Sequence, residues 1–363
     1  MGPILHVVGA RPNFMKVAPV MAALARRSAA QRLVHTGQHF DARMSGVFFE
    51  ELGLPRPDAD LGVGSGSHGL QTGKVMIALE RWLLAAAPRP AAVVVPGDVN
   101  STAAAALVAA KLGIPLVHLE AGLRSFDRTM PEELNRIVAD HLADLCLTPS
   151  PDADENLRHE GIPAARIARV GNVMIDTLVA NLPRARALAV PERMGLSLAG
   201  FAVATLHRPA NVDDPAALAA LVGALARIAE RLPVVFPVHP RTRARLDGAA
   251  PAAPAALRLV EPLGYLEFLS LTSAARLVLT DSGGLQEEAT ALGVPCLTLR
   301  ENTERPITVA EGTNEVVGTD PARIAAAAER VLSSGGKAGR RPDLWDGRAG
   351  ERAADAILAL ARG

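Results

Sequence analysis

Aromatic residues are scarce, at 3% of the chain, and the only tyrosine is Tyr265. An aromatic-packed all-β fold is excluded on that count. Four residues after Tyr265 stands Leu269, so the Tyr-x-x-x-Lys pair of a nicotinamide-dependent reductase is missing. There are two cysteines, Cys146 and Cys296, each within an apolar run and neither at a metal-ligand spacing. They read as buried thiols of a reducing compartment, and no metal is expected. Excess charge is missing too. Lys+Arg and Asp+Glu both number 38, so no net field draws the protein to nucleic acid or to a membrane surface. No apolar run reaches the roughly 20 residues that span a bilayer. The strand-like Ile4–Val8 has no basic leader before it. The expectation is a soluble, cytoplasmic protein.

What is abundant is alanine, which supplies much of the 49% apolar content and suits helices that cover sheets. Single cores rarely grow beyond about 250–300 residues, so 363 residues predict two domains. Strand–helix units recur through both halves. Ile4–Val8 leads into a helix near Asn13–Arg27, and Arg32–Thr36 leads into the loop at Gly37. Later, Phe201–Leu206 precedes a helix over Pro215–Arg231 with apolar Leu218, Leu221, Val222, Leu225 and Ile228. Strands follow at Val234–Val238, Leu257–Val260, Arg276–Thr280 and Cys296–Leu299. The predicted fold is α/β, two doubly wound Rossmann-like domains with a cleft between them. The domains cover 1–171 and 172–345, with a hinge at the Gly171-Asn172 turn, and residues 346–363 form a last amphipathic helix.

The segment from Val93 to Pro149 carries the most chemistry. Two β-branched runs, Ala92–Val95 and Ile114–Leu119, flank an alanine-rich helix, and each is followed by an acid, Asp98 and Glu120. Such a β-α-β unit puts both acids beyond the carboxyl ends of adjacent parallel strands, where open α/β sheets bind ligands. A third acid, Glu132, follows Pro131 in the first turn of the next helix. Three converging carboxylates equip a site for acid–base work, since crowding keeps one protonated while another is a base. The plainer reading has them cap loops and pair with Arg124, Arg128 and Arg136.

One motif is a decoy. Gly64-Ser65-Gly66-Ser67-His68-Gly69 matches G-x-G-x-x-G, but the preceding stretch is broken by Pro55 and Pro57, and no acid-ended strand follows. No dinucleotide cofactor is expected. A better anion site is Thr280-Asp281-Ser282-Gly283-Gly284, where a strand gives way to a helix. Gly283 and Gly284 allow close backbone approach, and the helix start offers free N–H groups to a diphosphate. The plainer reading is an ordinary helix start with Ser282 as cap and Glu288 as a solvated charge. His207 and His239 each end a strand in the same half, while Arg11 and Lys16 offer charge at the first strand–helix junction.

These residues sit in a longer series of motifs: GARPNFMKVAPV, TGQH, HLEAGLRS, MPEELNR, TLHRP, PVHP, TDSGGLQEEA and NTERP. In that order, over nearly the whole chain, they resemble the non-hydrolysing UDP-N-acetylglucosamine 2-epimerase family. The resemblance implies a GT-B arrangement whose final helix packs back on the first domain. It implies a UDP-sugar substrate and no cofactor. It also implies anti elimination of UDP to a 2-acetamidoglucal, followed by re-addition to give the C2 epimer. That route fits the missing redox motifs, because the C2–H of a hexose has no adjacent carbonyl to acidify it.

By the same resemblance Glu288 meets the ribose hydroxyls, His207 assists departure of the leaving group, and His239 binds the diphosphate. Arg305 shapes the sugar pocket, and Asp98, Glu120 and Glu132 remain for proton transfer at C2. A homodimer is expected. The chain departs from the family pattern where substrate also acts as an activator. Gln38-His39 is present, but Ser67-His68 stands where an Arg-Gln pair is expected, which puts the activator site in doubt. The early loop GQHFDARM also resembles relatives acting on diacetamido uronic sugars. A hydrolysing epimerase, a GT-B glycosyltransferase and a nucleotide-sugar sensor are the competing readings.

Overall fold

The computed structural model describes residues 2–38, 51–238, 242–243, 245–246 and 255–362, with the backbone alone at Arg11. The chain divides into two compact units, Met1–Thr177 with Asp343–Gly363, and Leu178–Pro342. The first unit holds strands β1 (Ile4–Val8), β2 (Gln31–His35), β3 (Ala59–Asp60), β4 (Ala92–Pro96), β5 (Leu116–Leu119), β6 (Leu145–Thr148) and β7 (Ile167–Arg169). They form one parallel sheet in the order β3-β2-β1-β4-β5-β6-β7. Its helices are α1 (Arg11–Arg26), α2 (His68–Ala85), α3 (Asn100–Lys111), α4 (Pro131–Leu142), α5 (Pro151–His159) and the start of α6 (Val173–Ala187). β1 and β4 are buried along their whole length, which is why they read as continuous apolar runs.

The second unit repeats the plan with β8 (Ala202–Thr205), β9 (Val234–Pro237), β10 (Leu257–Val260), β11 (Leu277–Thr280), β12 (Cys296–Thr298) and β13 (Asn314–Val316). Their order is β10-β9-β8-β11-β12-β13, all parallel. The helices that flank this sheet include α7 (Val190–Arg193), α8 (Pro209–Val212), α9 (Pro215–Ala229), α10 (Tyr265–Ala274), α11 (Gly283–Leu292), α12 (Pro306–Ala310) and α13 (Pro321–Ser334). α9 buries its apolar stripe of Leu218, Leu221, Val222, Leu225 and Ile228, and Asp214 caps it by accepting the Ala216 N–H at 2.9 Å. Losing such a cap costs about 1 kcal/mol. Counted within each unit, both sheets follow the order 3-2-1-4-5-6, with a seventh strand added in the first, the doubly wound order that sets ligand sites at the strand ends.

The last helix, α14 (Ala349–Arg362), packs in the first unit against α1. Arg27 reaches Glu351 at 2.5 Å and Asp355 at 2.7 Å, and Asp176 accepts the Ala349 and Gly350 N–H groups at the helix start. These bonds, with the Thr177 hydroxyl donating to the Met15 carbonyl at 2.6 Å, tie the opening of α6 to the first unit. The division therefore falls inside α6, later than the Gly171-Asn172 turn, and the chain rejoins the first unit at Asp343. Cys146 and Cys296 are buried, and burial pushes both thiols up, Cys296 to about 12. Among the described residues no helix is long and apolar enough to cross a membrane.

Candidate active site

In the first unit the carboxyl ends of β4 and β5 lie side by side, Pro96 opposite Leu119. Asp98 and Glu120 are carried just beyond them, as their spacing predicts. Glu120 is 7% exposed and forms an ion pair with Lys16, itself 6% exposed. Its backbone is left-handed at φ +72°, an uncommon state for a residue with a side chain, costing about 1–3 kcal/mol. A buried charge pair in a strained turn is an expensive way to end a strand. Gly97, at φ +64°, explains the close approach of the two turns: a Cβ there would lie 2.6 Å from Lys16 Nζ and 3.7 Å from Glu120 Oε2. Lys16, expected to offer charge at the first strand–helix junction, forms this ion pair with Glu120.

Asp98 accepts a hydrogen bond from Arg136, whose other nitrogen meets Glu133. Asn135 donates to the Asp98 carbonyl at 2.9 Å. Glu133 is buried and accepts the Ser125 and Phe126 N–H groups, each at 2.9 Å, which fixes the loop before α4. Of the adjacent pair, then, Glu133 is the structural acid. Glu132, half-buried, makes no hydrogen bond or ion pair among the described residues. Arg124 pairs with Asp140 and Glu160 and serves none of the three proposed acids. Of the pairings in the plainer reading, the described residues show that of Asp98 with Arg136.

In the second unit, β8 and β11 are neighbours, so His207 and Asp281 meet beyond their ends. His207 Nδ1 lies 2.7 Å from Asp281, and its side chain is 58% exposed while that of Asp281 is wholly buried. Asp281 also accepts the His207 and Arg208 N–H groups and the Asn211 side-chain amide. Burial alone would raise the Asp281 carboxyl, but these donors and the imidazole hold it below the usual carboxylate range. The contact with Asp281 fixes the Nδ1 edge of the His207 ring and so its orientation.

The turn that follows opens α11. Ser282 occupies the cap position, yet its side chain makes no capping bond. A Cβ on Gly283 would lie 2.5 Å from a Glu304 oxygen. Glu304 is held there by Arg300 at 2.8 Å and Arg208 at 3.2 Å. Arg305 is buried in the same cluster, 2.9 Å from Glu287. Glu288 is buried, not a solvated charge; burial pushes its carboxyl up to about 7, against the Tyr265 hydroxyl that donates to it at 3.4 Å. Gly284 follows Gly283 in the first turn. His239 and the Arg11 side chain lie outside the described residues.

The structure thus gathers Asp98, Glu120 and Lys16 in one unit, and His207, Ser282, Gly283 and Arg305 in the other. Sequence reasoning gave Asp281, Glu133 and Tyr265 no part in orienting the site. Glu133 had a signal, an acid at the third position of a helix reaching back to its own loop. Asp281 had none, because its partner is fixed only once β8 and β11 are known to be adjacent.

Residues 22–358 match the family model described as UDP-N-acetylglucosamine 2-epimerase. The UDP-N-acetylglucosamine 2-epimerase of Methanocaldococcus jannaschii is 42% identical over 355 residues, covering 95% of this chain and 96% of that relative. The UDP-2,3-diacetamido-2,3-dideoxy-D-glucuronate 2-epimerase of Pseudomonas aeruginosa is 44% identical over 320 residues, covering 87% and 88%. Among solved structures, the M. jannaschii UDP-GlcNAc 2-epimerase in complex with UDP-GlcNAc and UDP superposes with a TM-score of 0.90 at 41% identity, over 98% of this chain and 99% of that one.

Proposed function

Because the chain belongs to the UDP-N-acetylglucosamine 2-epimerase family, and is thus an isomerase, we propose that it interconverts UDP-GlcNAc and UDP-ManNAc. The observation that carries the reading is Glu120: buried, left-handed, paired with Lys16 and set beside the Asp98 turn. Among Asp98, Glu120 and Glu132, one base removes the C2 proton. The C–H electrons form the C1–C2 double bond of a 2-acetamidoglucal, and the C1–O electrons leave with UDP. Re-addition of UDP, with a proton delivered to the opposite face of C2, completes the epimerisation.

The second unit supplies the nucleotide half. Ser282, Gly283 and Gly284 offer the α11 start to the diphosphate, with His239 as a further partner for it. Glu288, with its carboxyl near 7, accepts ribose hydroxyls. Arg305 lines the sugar pocket. With Nδ1 held by Asp281, His207 donates its Nε2–H to the leaving phosphate. Incubated with UDP-GlcNAc and no added nucleotide or metal, the protein yields UDP-ManNAc. Release of free ManNAc in step with UDP contradicts this and marks a hydrolysing enzyme.

The Pseudomonas relative's name favours a second reading, a UDP-diacetamido-glucuronate as substrate. The ratio of kcat/KM for the two sugars decides between them. We place the protein in the cytoplasm as a homodimer. Support for the dimer is an exposed apolar stripe on α2, Leu70, Ile77 and Leu84, at heptad spacing. Light scattering is expected to give twice the 37.9 kDa chain mass, and Ile77→Asp to give the monomer. A wild-type monomer contradicts the assignment.

A further inference from the structure

His118, in β5, is fully buried and touches neither unit's candidate ligand groups directly. Its Nδ1 lies 2.6 Å from Asp140 Oδ1 and its Nε2 lies 2.7 Å from the Gly97 carbonyl oxygen. A carbonyl can only accept. Asp140 accepts as well, since it is also bound by Arg124 at 2.7 Å and by the Gly122 N–H at 3.2 Å. Both ring nitrogens of His118 therefore face acceptors, one on each side of the ring. Arg124 continues the group outward, bonded to Glu160 through both carboxylate oxygens at 2.6 Å. His141 meets the outer edge at Glu160, and the Cys146 thiol donates to the Asp140 carbonyl.

The connections matter more than the charge. Gly97 immediately precedes Asp98, and Gly122 follows Glu120 by two residues. One imidazole and one carboxylate thus tie the Asp98 turn, the Glu120 turn and α4 into a single frame. We propose that His118 is a positioning residue that, through Asp140, sets the spacing between the Asp98 and Glu120 carboxylates. The inference rests on the acid–base reading of those two residues. His118 itself touches no substrate. Its loss lets the Gly97 turn move, and a shift of about 1 Å in a reacting group costs up to about 10²-fold in rate.

Four variants test this: His118→Asn, Asp140→Asn, Asp98→Asn and the double variant H118N/D98N. His118→Asn is expected to lower kcat about 10–100-fold, with KM and UDP affinity nearly unchanged. In the Asp98→Asn background it should add almost nothing, because it acts through that carboxylate. If His118→Asn does not fold, Asp140→Asn, which keeps one acceptor, must show the same kcat loss. Full turnover in the folded variant, or a loss that multiplies with that of Asp98→Asn, overturns the proposal. Normal turnover in Asp98→Asn itself overturns the acid–base reading beneath it instead.

Discussion

Glu120→Gln should lower kcat by about 10²-fold or more while leaving UDP binding in place. The amide keeps the shape of the side chain and removes its capacity to take or give a proton. Stability complicates the measurement, because Lys16 loses its buried counter-charge. Breaking one side of such a pair costs about 3–5 kcal/mol. The companion variant K16M/E120Q removes the stranded charge and should recover much of that stability. If Glu120 transfers protons, activity stays down in the companion. Turnover that returns together with the melting temperature would make the pair a structural element.

Asp281→Asn should be nearly as damaging, about 10²-fold in kcat, although Asp281 touches no part of the ligand in this account. Asparagine can still accept the His207 and Arg208 N–H groups through its oxygen. It cannot also accept from His207 Nδ1, which lies 2.7 Å from the present carboxylate. The imidazole then loses the partner that fixes its tautomer and orientation. His207→Ala should show a similar loss, and the double variant should be little worse than either, since both changes disable one unit. Independent, multiplying losses would separate Asp281 from the function of His207.

Much of the fold was legible because parallel strands buried on both faces leave uninterrupted apolar runs. Ile4–Val8 and Ala92–Val95 stand out for that reason, and so does the helix between Asp98 and Glu120. β3 leaves no pattern in the sequence: two residues paired only at an edge, after Pro55 and Pro57. The same short edge strand is what precedes the glycine-rich decoy at Gly64.

At the site, the acids at strand ends could be found by position, since topology dictates where strand ends go. Their partners could not. Lys16 and Glu120 meet only because β1 and β5 both border β4. His118 reads as one more residue of an apolar strand until Gly97 and Asp140 are seen on either side of it. Asp281 likewise gains its meaning from the neighbouring strand. Individual catalytic candidates follow from local sequence, whereas the contacts that orient them depend on strand order.

The most direct test of elimination and re-addition is the fate of the hydrogen at C2. UDP-GlcNAc incubated with the wild-type protein in D₂O should return both epimers carrying deuterium at C2, because the abstracted proton exchanges with solvent before re-addition. NMR of the recovered nucleotide sugars reads this position directly. Epimerised product that keeps its original C2 hydrogen would contradict the mechanism assigned to Asp98, Glu120 and Glu132.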